Sequence, residues 1–501
     1  MNPGKIVKPS KMDDARLFRY PPGYRTQPLQ TALDWSAWDV QNDPSSEPMS
    51  DALTAPGSGG DPAHGFGKAV EMCNNNGHCR KFDAGTMCPS FRVTRDEEHL
   101  TRGRANTLRL ALSGQIEGGF ASDAVRDALD LCVSCKGCRR ECPTGVDMAK
   151  MKIEFLHHYH RQHGMSIKDR LVSYLPHYAH WGARLPWLFN LRNTMPAAAA
   201  LSEKWLGLAA QRSLPSWRSD TFLAGLTYPI NTDGSIEPKS RGSVTKNRGE
   251  VVLFADTFNN AFEPEVAHDA LAVLEAGGYT VHIALPADGS RRPLCCGRTF
   301  LATGMVEQAK VEARRTLAAL MPHVERGATI IGLEPSCLLS MRDEFLVMGL
   351  GEAAQRLASS ALLIEEFLAR EHRARKLDLP LKPLHQKRAL IHGHCHQKAF
   401  DALTPAVEVL KLIPDLQVDV IESSCCGMAG AFGYEAAHYE VSMKMAELSL
   451  LPAVRNAAQD TLIVADGTSC RHQIADGTRA TRARHATHAV RVLARALATE
   501  R

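Results

Sequence analysis

The sequence predicts a multidomain α and α/β chain, helical toward the N-terminus and built of two similar α/β repeats toward the C-terminus. Three observations predict this. Cysteines stand in close-spaced groups among amphipathic helical stretches between about residues 66 and 163. Beyond residue 250 the pattern changes to short apolar runs, at 251–255, 280–284, 330–333, 389–392, 418–421 and 462–465, alternating with helical stretches, as parallel strands require. That region also echoes itself: Leu294-Cys295-Cys296-Gly297 returns as Ser424-Cys425-Cys426-Gly427, and Glu334-Pro335-Ser336-Cys337 as Gly467-Thr468-Ser469-Cys470.

At 501 residues the chain has room for several cores. Its 59 lysines and arginines nearly balance 55 acids, which argues against nucleic acid as a partner. No apolar run reaches the roughly 18 residues of a membrane span, and Met1-Asn2-Pro3-Gly4-Lys5 lacks the apolar core of a signal peptide. The expectation is a cytoplasmic protein. In such a chain 14 cysteines point to metal or redox work, not to disulfides.

The elements follow in order. Residues 1–62 have linker composition, with Pro44-Ser45-Ser46-Glu47-Pro48 and Ala55-Pro56-Gly57-Ser58-Gly59-Gly60. Residues 63–165 form a helical domain, 166–247 a helical connector closed by a polar segment from Thr232, 248–386 the first Cys-Cys-Gly repeat and 387–501 the second.

Within the helical domain, Cys132-x2-Cys135-x2-Cys138-x3-Cys142-Pro143 is the run used by bacterial ferredoxins. Three thiolates on a tight loop hold three corners of a cubane, and the fourth cysteine, beside proline, serves another cluster. By that logic Cys132, Cys135 and Cys138 take their last ligand from the earlier Cys88-Pro89, giving one 4Fe-4S cluster. Zinc is the bland alternative, but its motifs come as separated pairs. The earlier group, Cys73-x5-Cys79-x8-Cys88, breaks the pattern, because the second ligand position falls on Asn76. Cys73, Cys79 and Cys142 remain. A 3Fe-4S cluster, a 4Fe-4S cluster with a ligand such as His78, or no second cluster would each fit.

Adjacent cysteines cannot easily pair with each other yet can face one metal. Cys395, Cys425, Cys426 and Cys470 are therefore expected to converge on a cluster or zinc, with His392, His394 and His396 beside the first of them. The first repeat offers only Cys295, Cys296 and Cys337, since the position matching Cys395 falls in Asp256-Thr257-Phe258-Asn259. Buried inert thiols are the alternative for both sets. Thr101-Arg102-Gly103-Arg104 could offset the charge of a thiolate-ligated cluster or simply cap a helix. Tyr174, Tyr178, Trp181, Arg184, Trp187, Phe189 and Arg192 suit either a peripheral membrane surface, where a quinone could be met, or packing between domains.

Taken together, these residues resemble the C-terminal iron-sulfur half of bacterial FAD-linked D-2-hydroxyglutarate and D-lactate dehydrogenases, and the glycolate oxidase iron-sulfur subunit. The resemblance rests on residues 73–80, Gly85-Thr86-Met87-Cys88-Pro89-Ser90, residues 101–104, the 132–143 run and both Cys-Cys-Gly motifs. The Cys-Cys-Gly repeats look like those of the heterodisulfide reductase family, except that Cys470-Arg471-His472-Gln473 keeps one cysteine of an expected pair. Asn2-Pro3-Gly4-Lys5-Ile6 is similar to the end of a flavin-binding domain. The resemblance implies a helical ferredoxin-type iron-sulfur domain followed by two α/β Cys-Cys-Gly repeats. It also implies a partner half or subunit that binds FAD and oxidises a D-2-hydroxyacid, with electrons leaving through this chain to an acceptor such as a quinone, a cytochrome or an electron-transfer flavoprotein. No general base or nucleophile stands out, so no catalytic residue is assigned. A thiol-disulfide reductase subunit and a zinc-stabilised scaffold are the rival readings.

Overall fold

In the computed structural model the described residues are 25–39, 61–82, 85–226, 235–236, 248–290, 292–481 and 483–498. The N-terminal Asn2 to Ile6 similarity, the linkers at 44–48 and 55–60 and most of the polar segment 232–250 lie outside them.

The first part is helical: Phe66–Glu71, Pro89–Thr94, Thr101–Leu112, Asp123–Asp130, Gly137–Glu141 and Met148–His163. The last begins where the Asp147 carboxylate accepts from Lys150 N and ends at Gly164, whose φ of 80° lets the chain turn away. His160, Arg161 and His163 in its final turn complement the helix dipole. Its inner face buries Met148, Met151, Ile153 and Phe155. Glu154, also buried, accepts from Ala32 N at 2.7 Å, Leu33 N at 3.0 Å and Trp35 Nε1 at 3.0 Å, which fastens residues 32–35 to this helix.

Nine strands follow among the described residues: β1 (Ser235–Ile236), β2 (Glu250–Leu253), β3 (Thr280–Ala284), β4 (Thr329–Gly332), β5 (Ala361–Leu363), β6 (Arg388–Ile391), β7 (Gln417–Val420), β8 (Leu462–Val464) and β9 (Ala486–Thr487). They form two sheets, ordered β1-β3-β2-β4-β5 and β7-β6-β8-β9. All pairings are parallel except that of β1 with β3. Leaving out β1, both sheets have the order second, first, third, fourth, and both Cys-Cys-Gly turns come after the second strand. Because parallel strands need crossovers, helices cover both faces.

The cores do not respect the linear divisions. Phe66, Leu108, Met151 and Phe155 share one apolar core with Phe300, Leu320, Leu338 and Phe345 of the first α/β half. A second core joins the halves through residues such as Val273, Leu368, Val409 and Leu493. In the connector, Arg192 turns inward and donates to the carbonyls of Ala209 and Arg212, each at 2.6 Å. Tyr174 packs edge-on to Phe300, and Tyr178 is half-buried, its hydroxyl pKa pushed up to about 12 by that burial. Trp181, Trp187 and Phe189 are exposed, as are Ile167, Leu201 and Trp205, so the aromatic stretch divides between packing and surface.

Candidate metal centres

The ferredoxin-like loop is shaped by backbone geometry. Ser134 and Lys136 both adopt positive φ, 48° and 59°, which curls 132–138 so that three thiols turn inward. Cys88 is brought to this loop by its neighbours. A Cβ on Gly137 would stand 2.9 Å from Met87 N, so glycine is what lets the two segments touch. Glu141 accepts from Thr86 N at 2.5 Å and Met87 N at 3.3 Å, holding the residues just before Cys88.

Cys88, Cys132, Cys135 and Cys138 together line one small cavity, with Thr101, Arg104, Lys136 and Met148 on its walls. All four thiols are buried. Burial, with the charges of the neighbouring sulfurs, pushes Cys135 and Cys138 well above the usual thiol range. Such thiols ionise only with a cationic centre or nearby positive charge. Arg104 is one such charge: it is buried, with Nη1 3.9 Å from Cys88 Sγ, Nη2 donating to Ser90 Oγ at 2.9 Å and Nε to Ala128 O at 3.0 Å. Thr101 Oγ1 lies 3.2 Å from the same sulfur. Arg102 faces Glu97 instead, at the surface.

A second positive charge, unanticipated from the sequence, is Lys136 within the loop itself. Its ammonium is fully buried against Asp343 and, at 2.6 Å, Glu344 of the first α/β half. Lys150 reaches Asp343 at 2.7 Å and Arg298 reaches Glu344 at 2.7 Å. Although burial opposes it, Lys136 and Lys150 hold the Asp343 carboxyl well below the usual carboxylate range. A lysine between two cysteines reads as solvated in isolation; only the partner half, more than 200 residues on, reveals its role.

Cys73 and Cys79 are buried near Cys88, whose charge acts on Cys79; burial first of all pushes the Cys79 thiol up to about 11. Cys142 is half-buried, its sulfur 3.3 Å from Thr144 Oγ1. His78 and Asn76 are exposed, with His78 N donating to Asn76 Oδ1.

The second-half cysteines meet at the C-terminal ends of β6 and β8. Cys470 Sγ lies 3.4 Å from Cys426 Sγ, and a ring nitrogen of His392 is within 4.8 Å of both sulfurs. Cys425 bonds both Cys395 and Cys426. Its hydrogen bond lowers the Cys395 thiol to about 6, and bonds from Cys425 and Cys470 hold Cys426 well below its ordinary value. Lys398, not singled out from the sequence, is half-buried, with the charges of all four sulfurs acting on it, and donates to Ser424 O at 3.1 Å. Gly427, at φ 86°, sends its N–H to Cys425 Sγ at 3.4 Å. His394 caps the helix Cys395–Ala399, while His396 reaches out to Ser134 O at 3.2 Å. That contact, with the charge of Cys395 acting on Cys135, places the two sulfur sites side by side. In the first half Cys296 bonds both Cys295 and Cys337, and Gly297 N again meets the first sulfur, here at 3.3 Å. Cys337 is lowered by its bond to Cys296, but burial and the Asp256 and Glu334 charges carry it up to about 12.

Among the described residues, three donor atoms lie within 4.8 Å of one another at His392, Cys426 and Cys470 and at Glu365, Asp466 and His488. The sulfurs around the 88/132/135/138 cavity are spread more widely than one ion holds its ligands.

Two stretches of the chain match known family models. The family model described as a 4Fe-4S dicluster domain matches residues 69–146, and that described as a cysteine-rich domain matches residues 389–475. D-2-hydroxyglutarate dehydrogenase of Escherichia coli (strain K12) is 26% identical over 439 residues, 80% of this chain and 41% of that protein. The glycolate oxidase iron-sulfur subunit of the same strain is 24% identical over 434 residues, covering 83% of this chain and 92% of the subunit. One subunit of the anaerobic glycerol-3-phosphate dehydrogenase of that strain is 28% identical over 256 residues, 50% of this chain and 60% of its own length. The chain thus spans about two-fifths of the D-2-hydroxyglutarate dehydrogenases it matches. It carries a ferredoxin-type 4Fe-4S domain and a cysteine-rich domain, and is related to oxidoreductases and to their iron-sulfur subunits.

Proposed function

We propose that this chain is the electron-carrying portion of a flavin-linked dehydrogenase of the D-2-hydroxyacid class. A separate FAD-binding half or subunit would oxidise the substrate. What carries the proposal is the adjacency of two sulfur-lined sites, with Cys135 of one beside Cys395 of the other and Ser134 bonded to His396 between them.

The residues present fit iron-sulfur groups: Cys88, Cys132, Cys135 and Cys138 are an all-sulfur donor set, free and buried around one cavity. Cys88, Cys132, Cys135 and Cys138 would hold a 4Fe-4S cluster, which accepts and releases single electrons. Cys395, Cys425, Cys426 and Cys470 would hold a second centre, either a cluster or zinc, with His392 beside it. Cys73, Cys79 and Cys142 are the candidates for a further cluster, and Cys295, Cys296 and Cys337 for a weaker site. The chain's own part is electrostatic and steric. Arg104 and Lys398 offset thiolate charge, Lys136 ties the cysteine loop to the first α/β half, and the shared cores keep water from the sulfurs. The exposed Trp181, Trp187 and Phe189 support a peripheral membrane contact on the acceptor side.

Iron and sulfide counting with electron paramagnetic resonance on anaerobically purified wild type and Cys135→Ser tests the assignment. The variant is expected to lose a 4Fe-4S signal while the Cys395 site keeps its metal. An unchanged spectrum rejects Cys135 as a ligand, and zinc without iron or sulfide in wild type rejects electron transfer altogether.

A further inference from the structure

In the connector the usual division of side chains is reversed. The buried residues of its helices Ile167–Ser173, Leu175–Gly182 and Pro196–Leu206 are all small: Ser173 in the first, Pro176, Ala179 and Gly182 in the second, Ala199 in the third. The large apolar side chains stand outside. Ile167 is 70% exposed, Trp181 59% and Trp205 73%. A helix that meets only water and its own core does the opposite, so these outer faces are built for another apolar phase.

The outward positions share one pattern. In each helical stretch two apolar side chains bracket a basic one at i, i+3 and i+4, the spacing that sets three residues on one face. The first set is Ile167, Arg170 and Leu171, and the last is Leu201, Lys204 and Trp205; every member is exposed. Between them come Trp181, Arg184 and Leu185, also exposed, on a turn carried past Gly182 by the bond from Arg184 N to Trp181 O at 3.0 Å. The Arg184 guanidinium lies 4.4 Å over the Trp181 ring, so the charge and the aromatic surface are presented together.

No acid joins these faces. Among the described residues 166–206 two are acids, both half-buried and turned to their own chain: Asp169 accepts from Ser166 Oγ at 2.6 Å and Glu203 from Ala210 N at 2.5 Å. Lys168 is engaged by Glu435 and Arg192 by backbone carbonyls. The charge left on the outer faces is therefore that of Arg170, Arg184 and Lys204, all positive, and what it complements is a negative surface.

We propose that the connector settles on an anionic phospholipid surface through these three faces, an inference that rests on the peripheral contact proposed above and names the lipid it takes. The apolar members of each set enter the edge of the acyl region, while the basic member reaches sideways to the lipid phosphates. Among the described residues no helix is long and apolar enough to cross a membrane, so these short helices lie in the headgroup plane.

The test mixes the full chain, purified anaerobically, with vesicles of phosphatidylcholine alone or of phosphatidylcholine with phosphatidylglycerol, and measures the protein that sediments with them. Iron and sulfide are counted in the same samples, which tests the electron-carrying role separately. One variant combines Arg170→Gln, Arg184→Gln and Lys204→Gln; a second combines Trp181→Ser and Trp205→Ser. Wild type is expected to bind the phosphatidylglycerol vesicles. At roughly fivefold in affinity for each basic residue at an anionic surface, the first variant should bind about 100-fold more weakly. The second should lose at least about tenfold, and both should keep the wild-type iron and sulfide. Equal binding of wild type to both kinds of vesicle overturns the anionic selectivity and leaves a peripheral contact standing. Variants that bind as tightly as wild type overturn the connector as the docking site. Binding to neither vesicle overturns the proposal and the peripheral contact together, and self-association of wild type that Trp181→Ser with Trp205→Ser abolishes would give the faces to a second copy of the chain. Should a variant lose iron, wild-type vesicle binding that is indifferent to salt overturns the proposal by itself.

Discussion

Replacing Lys136 by methionine probes how the cysteine loop is held to the first α/β half. The substitution keeps the length of the side chain and removes only the ammonium, which is buried against Asp343 and Glu344. Stripping one partner from a buried ion pair typically costs about 3–5 kcal/mol, because the remaining charge has neither water nor partner. Here Lys150 still reaches Asp343 and Arg298 still reaches Glu344, so the loss falls to about 2–3 kcal/mol. The helical part and the first half share a core and are expected to melt together, and for a unit of that size the loss lowers the transition by roughly 5–10 °C. Differential scanning calorimetry of anaerobic protein measures it. A melting temperature within about 1 °C of wild type for Lys136→Met would refute the electrostatic account.

Other outcomes are expected. Arg104→Met removes a buried cation 3.9 Å from Cys88 Sγ, and should make the midpoint potential of the centre at Cys88 more negative by roughly 50–100 mV in redox titration. His438 bonds Asp130 at 2.8 Å and Glu435 at 3.3 Å; burial opposes the proton, but these bonds raise its pKa from 6.5 to about 9. Its contribution to stability is therefore complete below pH 6.5 and lost as pH rises through 9. It amounts to at most about 3 kcal/mol, and to about 1–2 once the exposure of Asp130 is allowed for. Urea midpoints between pH 6 and 10 should fall in wild type by more than in His438→Gln. Gly427→Ala would set a Cβ 2.3 Å from Ser442 O at a φ of 86°, and should cost about 2–4 kcal/mol and empty the Cys425–Cys426 site of metal, read by metal analysis against wild type.

Much of this architecture was legible in the residues. The runs at 280–284 and 389–392 become β3 and β6 because consecutive branched and aliphatic side chains suit strands covered on both faces. β5 and β9 escaped notice: Ala361–Leu363 and Ala486–Thr487 are too short to show a period, and exist because neighbouring strands supply the pairing. Local spacing was enough to group Cys132, Cys135 and Cys138, since a tight loop fixes their relations. Lys136, Lys398 and the Glu365 cluster were not legible, because their meaning lies in partners brought close by tertiary folding. Arg192 shows the opposite error of scale: it sits among exposed aromatics in sequence, yet its guanidinium satisfies backbone carbonyls inside the connector.

The pairing of Lys136 with Asp343 spans 207 residues, and that of His396 with Ser134 spans 262. At about 5–20 residues per second, synthesis would leave the cysteine loop without its counter-ions for roughly 10–40 seconds after it is made. Every residue that lines the cavity at Cys88 lies between Cys88 and Ala149, so the walls around those thiols are complete before the residues that clamp them to the rest of the chain are made.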